Sequence, residues 1–92
     1  MTQKQTQPLT QSKSIKNKID VEKKVKQIIA DHLEKDVSDL NFSSSFEDFE
    51  LDEFDITELV MKWEDCFGIV IEDGDVLLLQ KSDDVVDFVM KN

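Results

Sequence analysis

Arginine is absent from this chain, proline and cysteine occur once each, and glycine twice. Each scarcity removes a class of protein. A single cysteine, Cys66, allows no disulfide framework and no thiolate metal site, and with His32 as the lone histidine a zinc site within the chain has too few ligands. So little glycine and proline cannot supply the turns of a β-sandwich, and favours helices joined by short connections. No apolar run approaches the roughly 18 residues that a membrane span requires. The missing arginine reads as a coding bias of the source and not as function.

What is present is charge, unevenly spread. The 92 residues, 39% hydrophobic and 35% charged, suit one small domain. Residues 1–19 carry Lys4, Lys13, Lys16 and Lys18 and no acid, whereas residues 20–92 carry seven lysines against 21 acids, a balance of −14. A body this acidic has no surface with which to neutralise phosphates, which excludes nucleic-acid binding, and it is steered toward basic protein surfaces.

The chain divides in two. Residues 1–19, MTQKQTQPLTQSKSIKNKI, are rich in Gln, Thr, Ser and Lys and cannot bury a core. They read as a disordered basic arm or a targeting segment, although the Arg and the amphipathic stripe usual in a transit peptide are wanting. Residues 20–92 form the domain. Val21, Val25, Ile28, Ile29 and Leu33 recur at helical spacing, with Asp20 as the expected N-cap and His32 as a partly exposed helix residue. The segment EKDVSDLNFSSSFEDFE is a long loop with Val37, Leu40, Phe42, Phe46 and Phe49 as apolar anchors.

A second helix is expected from near Asp52, where Asp52 and Asp55 cap and complement its dipole, to Gly68, which suits a left-handed terminus. Ile56, Leu59, Val60, Trp63 and Phe67 face inward, and Glu53, Glu58, Lys62, Glu64 and Asp65 face out. The stretch GIVIEDGDVLLLQ has the Asp-Gly of a hairpin, but two strands without a partner sheet are marginal, so a loop and a short third helix are expected. Ser82 then caps a last helix with Val85, Val86, Phe88 and Val89 inward. The fold class is all-α, a four-helix bundle of three main helices and one short one. An EF-hand is excluded, because Gly74 at its sixth position would put Ile69 at the first ligand position.

From about Val21 to Met90 the chain resembles acyl carrier proteins, the mitochondrial type in particular. The resemblance lies in VEKKVKQIIADHL, SSSFEDF, ELVMKWEDCFGI and DDVVDFV. The family's signature is Asp-Ser-Leu at the start of the second helix, and its serine carries 4′-phosphopantetheine, whose thiol holds an acyl chain. Here Asp52-Glu53-Phe54 falls on that triplet, and Glu50 falls where the family often keeps a glycine. Glu72 stands where proline is common, and the spacing from Phe46 is one residue short. No Ser, Thr or Tyr lies between Asp48 and Ile56.

A carboxylate cannot form the phosphodiester, so the reading of the sequence expects no cofactor and no enzymatic activity. Glu53 either favours the helix dipole or keeps a negative charge where the phosphodiester stands in the family. Trp63 either belongs to an ordinary core or fills the space in which the family shelters an acyl chain.

The resemblance implies a non-catalytic accessory subunit docking on a basic helical protein of LYR type. Its setting would be a mitochondrial assembly on the matrix side, respiratory complex I first, with association to the inner membrane only through that complex. The docking positions are Asp52, Glu53, Phe54, Asp55, Glu58, Met61, Glu64 and Ile71. The alternative is a carrier or decoy that meets the enzymes of fatty-acid synthesis.

Overall fold

In a computed structural model that describes residues 17–92, four α-helices follow one another: α1 Lys18–Leu33, α2 Glu53–Phe67, α3 Asp73–Val76 and α4 Ser82–Lys91. A 3₁₀ turn at Val37–Asp39 interrupts the first loop, and no strand occurs among the described residues. Of the expected arm, residues 1–19, the first sixteen lie outside them, while Asn17 caps α1 and Lys18 and Ile19 open it.

Helix α1 begins three residues earlier than its apolar pattern and expected cap imply. Asn17 is the N-cap, accepting from Ile19 N at 2.9 Å, and Asp20 sits in the first turn, where its charge favours the dipole. The helix closes on Glu34 in the left-handed region (φ 58°), with Lys35 N donating to Ala30 O and Glu34 N to Asp31 O. This paired closure satisfies the last carbonyls of α1.

Helix α2 runs as the sequence implies. Asp52 Oδ1 accepts from Asp55 N at 2.9 Å while Asp55 Oδ2 accepts from Asp52 N at 3.0 Å, a reciprocal capping box with aspartate at both places. Gly68 ends it at φ 65°, a conformation that costs glycine little. Helix α3 is one turn long, with Glu72 N donating to Asp75 Oδ2 at 3.1 Å. Ser82 is not the cap of α4. Lys81 takes that place, its N–H and that of Gln80 both donating to Asp84 Oδ2, and Ser82 is the first helical residue. Buried at 1% exposure, Ser82 Oγ reaches across to donate to Phe42 O at 3.3 Å.

The core is the meeting of three apolar faces, with α1 packed on both α4 and α2. Val21, Val25 and Ile29 of α1 face Leu59, Val60 and Trp63 of α2 and Val85, Val86 and Val89 of α4 in one cluster. Each such side chain, fully buried, contributes roughly 1.5–3 kcal/mol against the chain entropy. The long loop is held by Phe46, which is buried against the cluster and whose N–H donates to Gln80 O at 2.7 Å. Phe42 and Phe49 pack on each other 6.2 Å apart, and Lys26 Nζ lies 5.4 Å over the Phe42 ring. These anchors bring the 45–51 segment to the start of α2.

Candidate functional site

The start of α2 is built from three pieces. The turn 46–50 closes with Leu51 N donating to Phe46 O and Glu50 N to Glu47 O, which places Glu50 in the left-handed region at φ 61°. Asp52 caps the helix, and Glu53 follows as its first residue, exposed to solvent. Across from them the end of α1 supplies His32, whose Nε2 donates to Asp55 Oδ1 at 2.9 Å. The imidazole hydrogen bond, and after it the Asp52 backbone N–H, hold the Asp55 carboxyl below its ordinary pKa. His32 is therefore more than the partly exposed helix residue its sequence position implies. Its side chain is only 11% exposed and ties α1 to α2.

Of the eight expected docking positions, the structure brings some together and withholds others. Phe54 (79% exposed), Glu58 and Met61 (61%) follow one another along one face of α2, and Asp65 extends the row. Glu53 stands beside that row at the helix start. Asp52 and Asp55 are engaged in the capping box, with one Asp55 oxygen also taken by His32. Glu64 is half-buried on the groove beside α2, its Oε2 accepting from Ile71 N at 2.8 Å. Ile71 itself is buried at 6% exposure and presents no surface. Its neighbour Val70 is the exposed one, at 70%. Sequence reasoning missed Val70, because three successive β-branched residues show no periodicity from which an outward side chain can be read.

Two open grooves flank α2. One, of ≈ 660 Å³, is bounded by Glu58, Met61, Lys62, Asp65 and Val70. The other, of ≈ 370 Å³, lies between the 45–47 turn, the first turns of α2 and α3, with Phe46, Leu51, Ile56, Val76 and Leu79 as apolar walls and Glu47 and Glu53 at its rim. The first is an open groove with acidic edges. The second is a slot beside the position where the family's signature falls.

Comparison with known proteins decides the family. The model described as "Phosphopantetheine attachment site" matches residues 23–89. The chain belongs to the acyl carrier protein family. An acyl carrier protein of Solidesulfovibrio magneticus is 40% identical over 72 residues, covering 77% of this chain and 92% of that protein. One from Nitratidesulfovibrio vulgaris is 41% identical over 70 residues, covering 75% and 92%. The crystal structure of the acyl carrier protein of Thermotoga maritima shares the fold with a TM-score of 0.66 and 25% identity, over 90% of this chain and 93% of that one. These relatives are bacterial.

The family overturns one expectation. A protein with no cofactor was the reading of Glu53; the matched attachment-site model and the acyl carrier relatives point instead to 4′-phosphopantetheine. The residues at position 53 do not by themselves fit the group, and no chemical step through it follows from them. Glu53 offers a carboxylate, and from Phe46 to Ile56 there is no hydroxyl. The flanking hydroxyls are engaged: Ser45 Oγ accepts from Asp48 N at 3.2 Å, and Thr57 Oγ1 donates to Glu53 O at 2.9 Å.

Proposed function

We propose that this acyl carrier family member works with the enzymes of fatty-acid synthesis as a carrier-type partner, by binding and not by catalysis. The observation that carries the reading is the exposed row of α2, where Phe54 and Met61 stand among Glu53, Glu58 and Asp65. Carboxylates on a body this acidic accelerate encounter with a basic enzyme surface, while each exposed ion pair adds only about 0–1 kcal/mol. Affinity then depends on burying the two large apolar side chains between those charges. The relatives named above favour this setting, each being called an acyl carrier protein.

The test is binding of the full chain to purified fatty-acid synthesis enzymes, followed as a function of salt. Association is expected to slow as salt rises, and Met61→Glu is expected to weaken binding about ten-fold or more, the loss of one buried apolar contact. Retention of no such enzyme, or binding indifferent to Met61, sinks the reading.

The same row favours a second reading, in which the occupant is a basic helical partner of LYR type within a mitochondrial assembly such as respiratory complex I. Isolating the native protein under mild detergent separates the two. Co-purification in a large respiratory particle beside a basic helical chain supports the second, and co-purification with fatty-acid synthesis enzymes the first.

A further inference from the structure

The packing of α1 on α2 fixes where the chain enters the domain. His32, in the last turn of α1, is hydrogen-bonded to Asp55 in the first turn of α2. Val21, in the first half of α1, shares the buried cluster with Trp63, in the second half of α2. The helices are 16 and 15 residues long, so they run antiparallel and the start of α1 lies beside the end of α2. Residues 1–16, ahead of the N-cap Asn17, therefore join the domain at the level of the larger groove, which opens between the second half of α2 and residues 68–70. Sixteen extended residues span up to about 55 Å, and packed helices sit only about 8–10 Å apart, so reach does not limit them.

Groove and segment are complementary. Met61 and Val70 are exposed apolar side chains on the groove, and Glu58, Glu64 and Asp65 stand there against Lys62. Residues 1–16 carry Lys4, Lys13 and Lys16 and no acid, with Leu9 and Ile15 set between the lysines. We propose that residues 1–16 dock back into this groove, their apolar side chains on Met61 and Val70 and their lysines at its acidic edges. A segment tethered so close meets the groove at an effective concentration on the order of millimolar. Exposed ion pairs of about 0–1 kcal/mol each and one apolar contact then suffice for partial occupancy. A second copy is a poorer occupant, because two bodies of net charge −10 repel each other. The consequence rests on the proposed docking of enzymes along α2: a partner seated at Met61 must displace the segment, which makes residues 1–16 a brake on that surface.

Nuclear magnetic resonance of the full chain tests this without any partner. The parent is compared with Lys4→Gln/Lys13→Gln/Lys16→Gln, which removes the charge, and with Leu9→Gln/Ile15→Gln, which keeps it. All five positions precede Asn17, so neither variant touches the core. At 10 mM sodium chloride the Met61, Asp65 and Val70 amides of the parent are expected to differ from those of both variants. The parent is expected to approach the charge variant at 0.5 M, where the Debye length falls to about 4 Å. A nitroxide on Cys66, exposed and next to Asp65, is expected to broaden the amides around Leu9 in the parent and less in either variant. A purified fatty-acid synthesis enzyme is then expected to bind the Leu9/Ile15 variant about three-fold tighter than the parent, as a groove closed two-thirds of the time gives. Identical groove amides in parent and variants overturn the proposal. So does broadening that passes only between molecules in a mixture of labelled and unlabelled chains, which assigns the groove to a second copy. Identical amides with enzyme docking intact sink this inference alone, and the expected shifts with no enzyme retained uphold it while sinking the docking reading.

Discussion

Glu50 shows how one turn dictates the backbone of a single residue. It holds φ at 61° because the turn from Phe46 closes on it, and a side chain there is strained where glycine is not. Glu50→Gly is expected to stabilise the domain by about 1 kcal/mol, the strain relieved less the entropy glycine adds to the unfolded chain. Thermal unfolding reads this as a rise of about 4–8 °C for a domain of this size. A lower melting temperature would mean that the left-handed turn is not strained. Three residues on, Glu53 occupies the first position of α2, and its replacement tests the attachment chemistry directly. Glu53→Ser, incubated with coenzyme A and a phosphopantetheinyl transferase, is expected to gain one phosphopantetheine on the peptide containing residue 53. Loss of the carboxylate at the helix start costs only about 0.3–1 kcal/mol, so the variant remains folded. Should the unsubstituted protein acquire the group too, peptide mass mapping identifies the hydroxyl, with Ser45 and Thr57 the ones that flank the start of α2. Failure of the serine variant to load would show that this surface is not read by the transferase.

Between elements, the decisive contact joins residues 23 apart in sequence: His32 at the end of α1 and Asp55 in the first turn of α2. Because the Asp55 pKa is depressed in the fold, its contribution to stability is fully present above roughly pH 4, the unfolded value, and is lost as pH falls through the lower folded value. Asp55→Asn is therefore expected to be less stable than the parent at pH 7, with the gap closing below pH ~4. Urea unfolding of both at several pH values checks this, and a gap constant with pH would detach it from the Asp55 charge. No local pattern announced that contact, since each residue also fits a plain helical surface. The limits of α2 were legible because both ends carry their own chemistry, the paired aspartates at one and Gly68 at the other. The starts of α1 and α4 were not: Asn17 and Asp20 are both capping types, and at α4 the N-cap place falls to Lys81, which is no capping type, one residue before Ser82. The same limit hid which of Leu77, Leu78 and Leu79 turns inward: the first two are 76% and 70% exposed and the third 7%, around a helix too short to show a period. The outward face of α2 was legible at Phe54, Glu58 and Met61, which are exposed where the helix is long and regular. Exposure was not legible at Ile71, in the connection beyond α2, where the backbone turns the side chain into the core.

At the scale of the whole molecule, the charges that invite a basic partner also strain the domain that carries them. The net charge is −10, and the ion pair found among the described residues is His32 with Asp55. There is thus little attraction for salt to screen and much repulsion, over distances comparable with the Debye length of about 10 Å at 0.1 M. The melting temperature is expected to rise between 10 mM and 0.5 M sodium chloride, by on the order of 5 °C if about 1 kcal/mol of repulsion is relieved. A basic enzyme seated on α2 neutralises the same carboxylates, so it relieves part of that repulsion and stabilises the fold beyond its contact energy. That extra gain exists only where the repulsion is unscreened. Partner and salt must therefore act as substitutes: at equal site occupancy, the partner-induced rise in melting temperature is expected to be larger at 10 mM than at 0.5 M salt. Equal rises would show that the acids of α2 contribute nothing beyond local contacts, and that the apolar pair Phe54 and Met61 holds the partner without them.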